Sequence, residues 1–202
     1  MNVYAETNFV LELAFQQEQH GSCEEILQFC KNGDIELIIP AYCLAEPHEK
    51  LRRQYNSRQQ LQQALNAELR QLLRTSSYST RISSIQELSS LIVQSNFEEQ
   101  QRFGEYRARL LKTATVIPLT AEVLMAASEY ESIYQLIPQD AIVYASVVHH
   151  LRQQTSPQNC FLNRNSKDFD HPDIVDELSI VNCRMIPRFD HGYGFIRAQL
   201  QL

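Results

Sequence analysis

Short apolar runs alternating with longer helical stretches constrain this chain more than any other feature. Val3-Tyr4-Ala5, Glu36 to Pro40 (ELIIP), Thr115 to Leu119 (TVIPL), Cys160-Phe161-Leu162 and Arg184 to Pro187 (RMIP) are β-type segments bounded by turn residues. Strands buried on both faces read as such continuous runs, whereas half-exposed strands alternate apolar with polar. Helical patterns separate them: Phe9 to Phe15, Ser22 to Cys30, Ala121 to about Tyr134, the nearly all-apolar Ala141 to Leu151 opened by Pro138-Gln139-Asp140, and Asp168 to Leu178. Ser22 is the expected N-cap of the second of these, with Glu24 and Glu25 in its first turn and Asn32-Gly33 at its end. This alternation predicts right-handed βαβ units, hence a three-layer α/β/α fold around a central parallel sheet. The polar tail after Pro187 carries no assignment, and His191-Gly192-Tyr193-Gly194 reads as a turn.

One region departs from this rhythm. From Ala41 to about Lys112 the pattern is helical and polar: Leu51, Tyr55, Leu61, Leu65, Leu69 and Leu72 recur at mostly helical spacings. A Ser/Thr-rich break at Thr75 to Thr80 precedes Ile82, Ile85, Leu88, Leu91 and Ile92. Two long helices packed as a hairpin are expected, an arm inserted after the second strand at about residues 42–113, with Pro47 kinking its start. The 202 residues then form a single domain with a helical insertion.

The net charge of −6 speaks at first against a nucleic-acid partner. Resolved along the chain it is an average of opposites: residues 42–113 carry +4 and the remainder −10. Arg52, Arg53, Arg58 and further arginines of the arm offer a surface that can track phosphates. Ten of the 21 glutamines also lie there, and a merely solvated helical face is the competing reading.

Five cysteines, an odd number without a CxxC pair, point to reduced thiols inside a cell, and Cys23 and Cys30 share one helix face with Ile26 and Leu27. The N-terminus lacks a basic secretory pattern, and the longest charge-free apolar run, Leu37 to Ala45, is too short to span a bilayer. A cytoplasmic protein that does not engage membranes is expected. GxSxG, Walker A and GxGxxG motifs are absent. Adjacent His149 and His150 point about 100° apart on a helix and form no i, i+4 metal pair. His48 reads as a surface helix residue near Glu46.

Ligands of an open parallel sheet sit beyond the carboxyl ends of its strands. Glu6 follows the first strand, Glu46 the second, and Asn165 and Asp168 the fourth, while Asp140 stands at the amino end of the apolar helix. Four segments thus bring a carboxylate or amide to one edge. Such a cluster repels itself unless a cation or a raised pKa relieves it, and hard oxygen donors suit Mg²⁺. Separate helix caps or solvent-facing acids are the plainer alternative for any single member.

The segments VYAETNF, IIPAYCLAE, PQDAIVYASVV and FLNRNSKDF resemble, in this order and strand context, those of PIN-domain ribonucleases, which include the toxin nucleases of bacterial toxin–antitoxin pairs. The resemblance covers the first 46 residues or so and about 115–187, leaving the arm outside. It implies metal-dependent hydrolysis of RNA phosphodiester bonds with Mg²⁺ or Mn²⁺. Glu6, Glu46, Asp140 and Asp168 would be its catalytic acids, and these with Asn165 its metal ligands. Thr7 would orient a ligand or water. From the charge of the arm rather than from the resemblance, Arg52 and Arg53 are expected to contact RNA, together with Arg164. An antitoxin protein is the implied partner, and homodimerisation stays open. Two positions depart from the family pattern: Glu6 stands where aspartate is usual, and Asn165 is a neutral amide. A non-catalytic PIN-like module binding RNA or protein through the arm, and a nuclease acting on DNA, are the competing functions.

Overall fold

The computed structural model describes residues 1–75, 77–78, 83–154, 156–165, 169 and 171–201, with the backbone alone for 83–88. Its order is β1 (Asn2–Ala5), α1 (Thr7–Phe15), α2 (His20–Asn32), β2 (Glu36–Pro40), α3 (Ala41–Ala45), α4 (Pro47–Leu72), α5 (Ser83–Thr113), β3 (Thr115–Ile117), α6 (Ala121–Tyr134), α7 (Pro138–Leu151), β4 (Asn159–Leu162), α8 (Pro172–Ile180), β5 (Cys183–Ile186) and α9 (Phe189–Leu200). The strands form one parallel sheet in the order β3-β2-β1-β4-β5, flanked by helices in the expected α/β/α arrangement. Val3 pairs with Leu37 on one side and Cys160 on the other, which places β1 at the centre. Chain connections leave β1 and β4 in opposite directions, so the crevice beyond their carboxyl ends is the topological switch point.

Burial explains why the strand runs are uninterrupted. Val3, Tyr4, Leu37, Ile38, Cys160 and Phe161 are all fully buried, and both faces of the sheet are covered. Tyr4 reaches out of this core through its hydroxyl, 2.9 Å from Nδ1 of His150. Gly33 takes the left-handed conformation (φ 84°) that ends α2, as Asn32-Gly33 predicts. Among the described residues no helix is long and apolar enough to cross a membrane.

Long helices α4 and α5 run antiparallel, with His48 near Phe103 and Arg107 at one end and Arg58 against Asn96 and Glu99 further along. Their seam is mixed: Ser89, Asn96 and Glu99 are buried along it, as are Leu69 and Phe103. The lower half of α5 packs on α1, where Arg102 Nε donates to the Ala14 carbonyl at 2.8 Å. Part of the Thr75 to Thr80 break, Ile82, and the side chains of Ile85 and Leu88 lie outside the described residues.

Several sequence expectations are corrected. Helix α2 begins at His20, two residues before Ser22, with Gln19 at the cap position. The buried Glu12 carboxylate takes the Gln19 amide instead (3.0 Å), an anchor from a different helix that local sequence does not display. Helix α8 begins at Pro172 with His171 as its cap, four residues after the expected start at Asp168. The tail forms α9, so His191-Gly192-Tyr193-Gly194 is helical. Helix propensity alone disfavours those glycines, but a Cβ on Gly192 would stand 2.5 Å from Leu162 Cδ2. A side chain there would have to displace the buried end of Leu162 on β4.

Candidate active site at the carboxyl edge of the sheet

Each acid at the switch point is positioned by a different element. Glu6 leaves β1 as the N-cap of α1, its Oε2 accepting the Asn8 backbone N–H at 2.8 Å and Asn8 Nδ2 at 3.1 Å. Its other oxygen accepts the backbone N–H of Arg164 at 3.0 Å, just past the end of β4. Glu46 sits between α3 and α4, immediately before Pro47 at the first position of α4. Proline suits that place because the first N–H of a helix has no intrahelical partner. Thr7 Oγ1 donates to Glu46 Oε2 at 2.5 Å, joining the starts of α1 and α4. Asp140 is the third residue of α7, within its first turn and not at its cap, which is Ile137. Its Oδ2 accepts Asn165 Nδ2 at 2.7 Å.

These residues line one cavity of about 320 Å³ together with Asn8, Lys50, Arg53, Gln139 and Asn163. A larger cavity of about 610 Å³ beside β5 has no acid in its lining, so size and chemistry part company here. Glu6 is 6% exposed, and burial raises its pKa from 4.5 to about 7. The amides of Asn8 and Arg164 and the Asn8 side chain pull it back down, and the nearby Asp140 charge pushes it further up. Asn163 Oδ1 accepts the Asn165 N–H at 2.9 Å, while its buried Nδ2 finds no hydrogen-bond partner among the described residues.

The arrangement sorts the expected site residues. Glu6, Thr7, Glu46, Arg53, Asp140 and Asn165 are brought together. Asp168 lies outside the described residues. Arg52 does not reach this cavity: it pairs with Glu49 at 2.8 Å and lines a separate groove between α4 and α5, which it shares with His48. Arg164 contributes only its backbone N–H, because its guanidinium turns away to Glu12 and Glu18. Lys50 and Asn163 escaped the sequence reading. Lys50 sits one helical turn before Arg53 on α4, a spacing that could have found it, whereas Asn163 shares its short loop with another asparagine and nothing local distinguishes them.

All the polar lining groups are oxygen or nitrogen donors, and neither cysteine nor histidine contributes. That chemistry suits a hard cation such as Mg²⁺ or Mn²⁺, which takes one or two carboxylates with waters completing its shell. Among the described residues, no three Asp, Glu, His or Cys side chains stand close enough to share one ion.

No curated protein matches the sequence significantly. Among solved structures, the chain is similar to the VapBC2 complex of Rickettsia felis bound to a DNA fragment from its promoter. The identity is 12% and the TM-score 0.47, with 92% of this chain and 98% of that chain covered. The PIN-domain family model matches residues 3–169, from β1 through the segment after β4. With so much of its length matched, including every element that borders the acidic cavity, the chain belongs to the PIN-domain family.

Proposed function

We propose that the protein is a metal-dependent endoribonuclease that uses Mg²⁺ or Mn²⁺ at the switch-point cavity. The observation that carries this reading is the convergence of Glu6, Glu46 and Asp140, from three separate elements, on one cavity that Lys50 and Arg53 also line. Asp140 and Glu46 would hold the ion, with the side-chain carbonyl of Asn165 and the carboxylates of Glu6 and Asp168 as further oxygen donors. A divalent ion bound there supplies an acidified water and a counter-charge for the phosphate. Lys50 and Arg53 act on the substrate side, holding the phosphodiester against the acidic floor. Thr7 keeps the Glu46 carboxylate turned into the cavity, and Asn165 does the same for Asp140. The N–H of Asn163 left without a partner suits an anionic oxygen and not a cation.

RNA as substrate, an antitoxin protein as partner and a cytoplasmic site of action belong to the same reading, through the family resemblance. The decisive experiment is cleavage of RNA by purified protein with Mg²⁺ or Mn²⁺, compared with Asp140→Asn. The substitution keeps the side chain's size and removes its charge, so activity should fall by about 100-fold or more. Equal cleavage by the variant would mark the activity as a contaminant and end the assignment. Co-expression with the product of an adjacent small reading frame tests the antitoxin.

Two observations favour a second reading, a PIN-like module that binds without cutting. Both Glu6 oxygens already accept N–H groups, and no three-acid ligand cluster forms among the described residues. Calorimetry separates the two: a folded protein giving no heat with millimolar Mn²⁺, and no cleavage, would establish the module.

A further inference from the structure

We infer that Arg164 is a positioning residue, a clamp whose guanidinium is anchored on Glu12 so that its own backbone N–H is held against Glu6. Arg164 grips helix α1 at two points. Its backbone N–H donates to Glu6 Oε1 at the N-terminus of α1, 3.0 Å away. Its Nη1 donates to Glu12 Oε1 on the same helix, and Nη2 stands 3.4 Å from Glu18 Oε2. Glu6 and Glu12 stand six positions apart, a rise of roughly 9 Å along a rigid helix, which an extended arginine can bridge.

Glu12 is what makes the anchor firm. It is 1% exposed, and its second oxygen accepts the Gln19 N–H at 3.0 Å, so both oxygens are engaged and neither faces solvent. A carboxylate buried this deeply and stripped of its cation is strongly penalised. Departure of the guanidinium toward a substrate phosphate would incur that penalty. Gln19 extends the chain of contacts to the C-terminal helix, its Oε1 accepting the Phe189 N–H at 2.6 Å where α9 begins.

The consequence falls on both sides of the cavity. Residues 163–165 form one short segment whose Arg164 N–H binds Glu6 and whose Asn165 side chain binds Asp140. Anchoring Arg164 therefore sets the position of a segment that touches two of the candidate ligands. This differs from a role in gripping RNA, in which the guanidinium would be free to leave Glu12.

Arg164→Met removes the anchor and keeps the backbone N–H, and Arg164→Lys keeps a cation that can still reach Glu12. The first readout needs neither metal nor substrate. Hydrogen exchange of the residue-164 amide should quicken roughly tenfold in Arg164→Met and return most of the way to the wild-type rate in Arg164→Lys. Affinity for Mn²⁺, read by calorimetry, should weaken about 10-fold in Arg164→Met. In RNA cleavage kcat should fall with KM unchanged, and the salt dependence of RNA binding should stay as in the wild type. Unchanged amide exchange and Mn²⁺ affinity would overturn the inference. So would a raised KM together with a salt slope lowered by about 0.7, the mark of one lost phosphate contact. If Arg164→Met does not fold, Arg164→Lys alone decides: exchange as fast as in an unprotected amide overturns the clamp, and near-native protection supports it. The Mn²⁺ and cleavage readouts rest on the proposed nuclease function. If wild-type protein neither binds Mn²⁺ nor cuts RNA, that function fails, and the exchange measurement still tests the clamp.

Discussion

The hairpin seam and the sheet-edge cavity both bury glutamate, and they treat it in opposite ways. In the seam, Glu99 receives both arms of the Arg58 guanidinium at 2.7 and 3.0 Å, and Arg58 also donates to Asn96 Oδ1 at 2.8 Å. At the cavity, Glu6 hydrogen-bonds only neutral N–H and amide groups, and the charge of another acid, Asp140, raises its pKa further. A buried charge matched by a cation holds structure together. A buried charge left without one keeps a tendency to take up a proton or a metal ion.

The same contrast separates the arginines of the arm. Read from sequence, they look like one phosphate-tracking surface. In the fold, Arg58 binds across the seam, Arg102 holds the end of α1, Arg107 meets His48 at 2.5 Å and Arg109 pairs with Glu24 at 2.9 Å. Four of the eleven cations of the arm are thus engaged in fastening it. Lys50 and Arg53, at its base, are the cations that line the acidic cavity.

The largest expected effect is on the cavity side of this comparison. In ion-free protein with chelator present, Glu6 holds its proton more tightly folded than unfolded. Its contribution is full below pH 4.5 and is lost as pH rises toward about 7. Urea unfolding at stepped pH should show stability falling by about 3 kcal/mol across that window, and Glu6→Gln should flatten the slope. Identical slopes in the two proteins would show that Glu6 is as well compensated as Glu99.

A smaller loss is expected in the seam. Arg58→Met leaves Glu99 and the Asn96 carbonyl without their shared donor. The pair retains some solvent contact, with side-chain exposures of 23% and 11%, so the cost should be about 2 kcal/mol, below that of a wholly buried pair. Hydrogen exchange should quicken in α4 and α5 and stay unchanged in the sheet; equal quickening in β1 would show that the two regions unfold as one. The smallest effect concerns neighbours on α4. Arg52→Ala should shift Tm by less than about 2 °C and leave RNA binding intact, because it and its partner Glu49 are both more than half exposed. Arg53→Ala should leave Tm equally unmoved and weaken RNA binding. Equal binding by the two variants would remove Arg53 from the site.

How much of this was legible beforehand depended on how local the cause was. The strand Glu36–Pro40 stands where its apolar run lies, and α6 spans Ala121–Tyr134, because burial on both faces and a Thr120 cap write themselves into adjacent residues. Helix α9 was invisible because its glycine is justified by Leu162, thirty residues earlier in the chain. Glu6, Glu46, Asp140 and Asn165 could be placed near one edge by topology alone, since strand ends dictate where they emerge. The direction of a long side chain could not. Arg52 and Arg164 are turned by Glu49, Glu12 and Glu18, and only the fold shows that Glu12 lies within reach of residue 164.

The joint at Glu46 and Pro47 has a mechanical side. Helix α4 starts there and runs for 26 residues, a rod of roughly 39 Å. A swing of about 10° about its base carries the far end through roughly 7 Å, by the length of that rod. Glu46 lies at the pivot, so the same swing shifts its carboxylate by only a fraction of that travel. The hairpin is geared like a long handle on a short latch. By that ratio, any displacement of its far end would reach Glu46 strongly reduced.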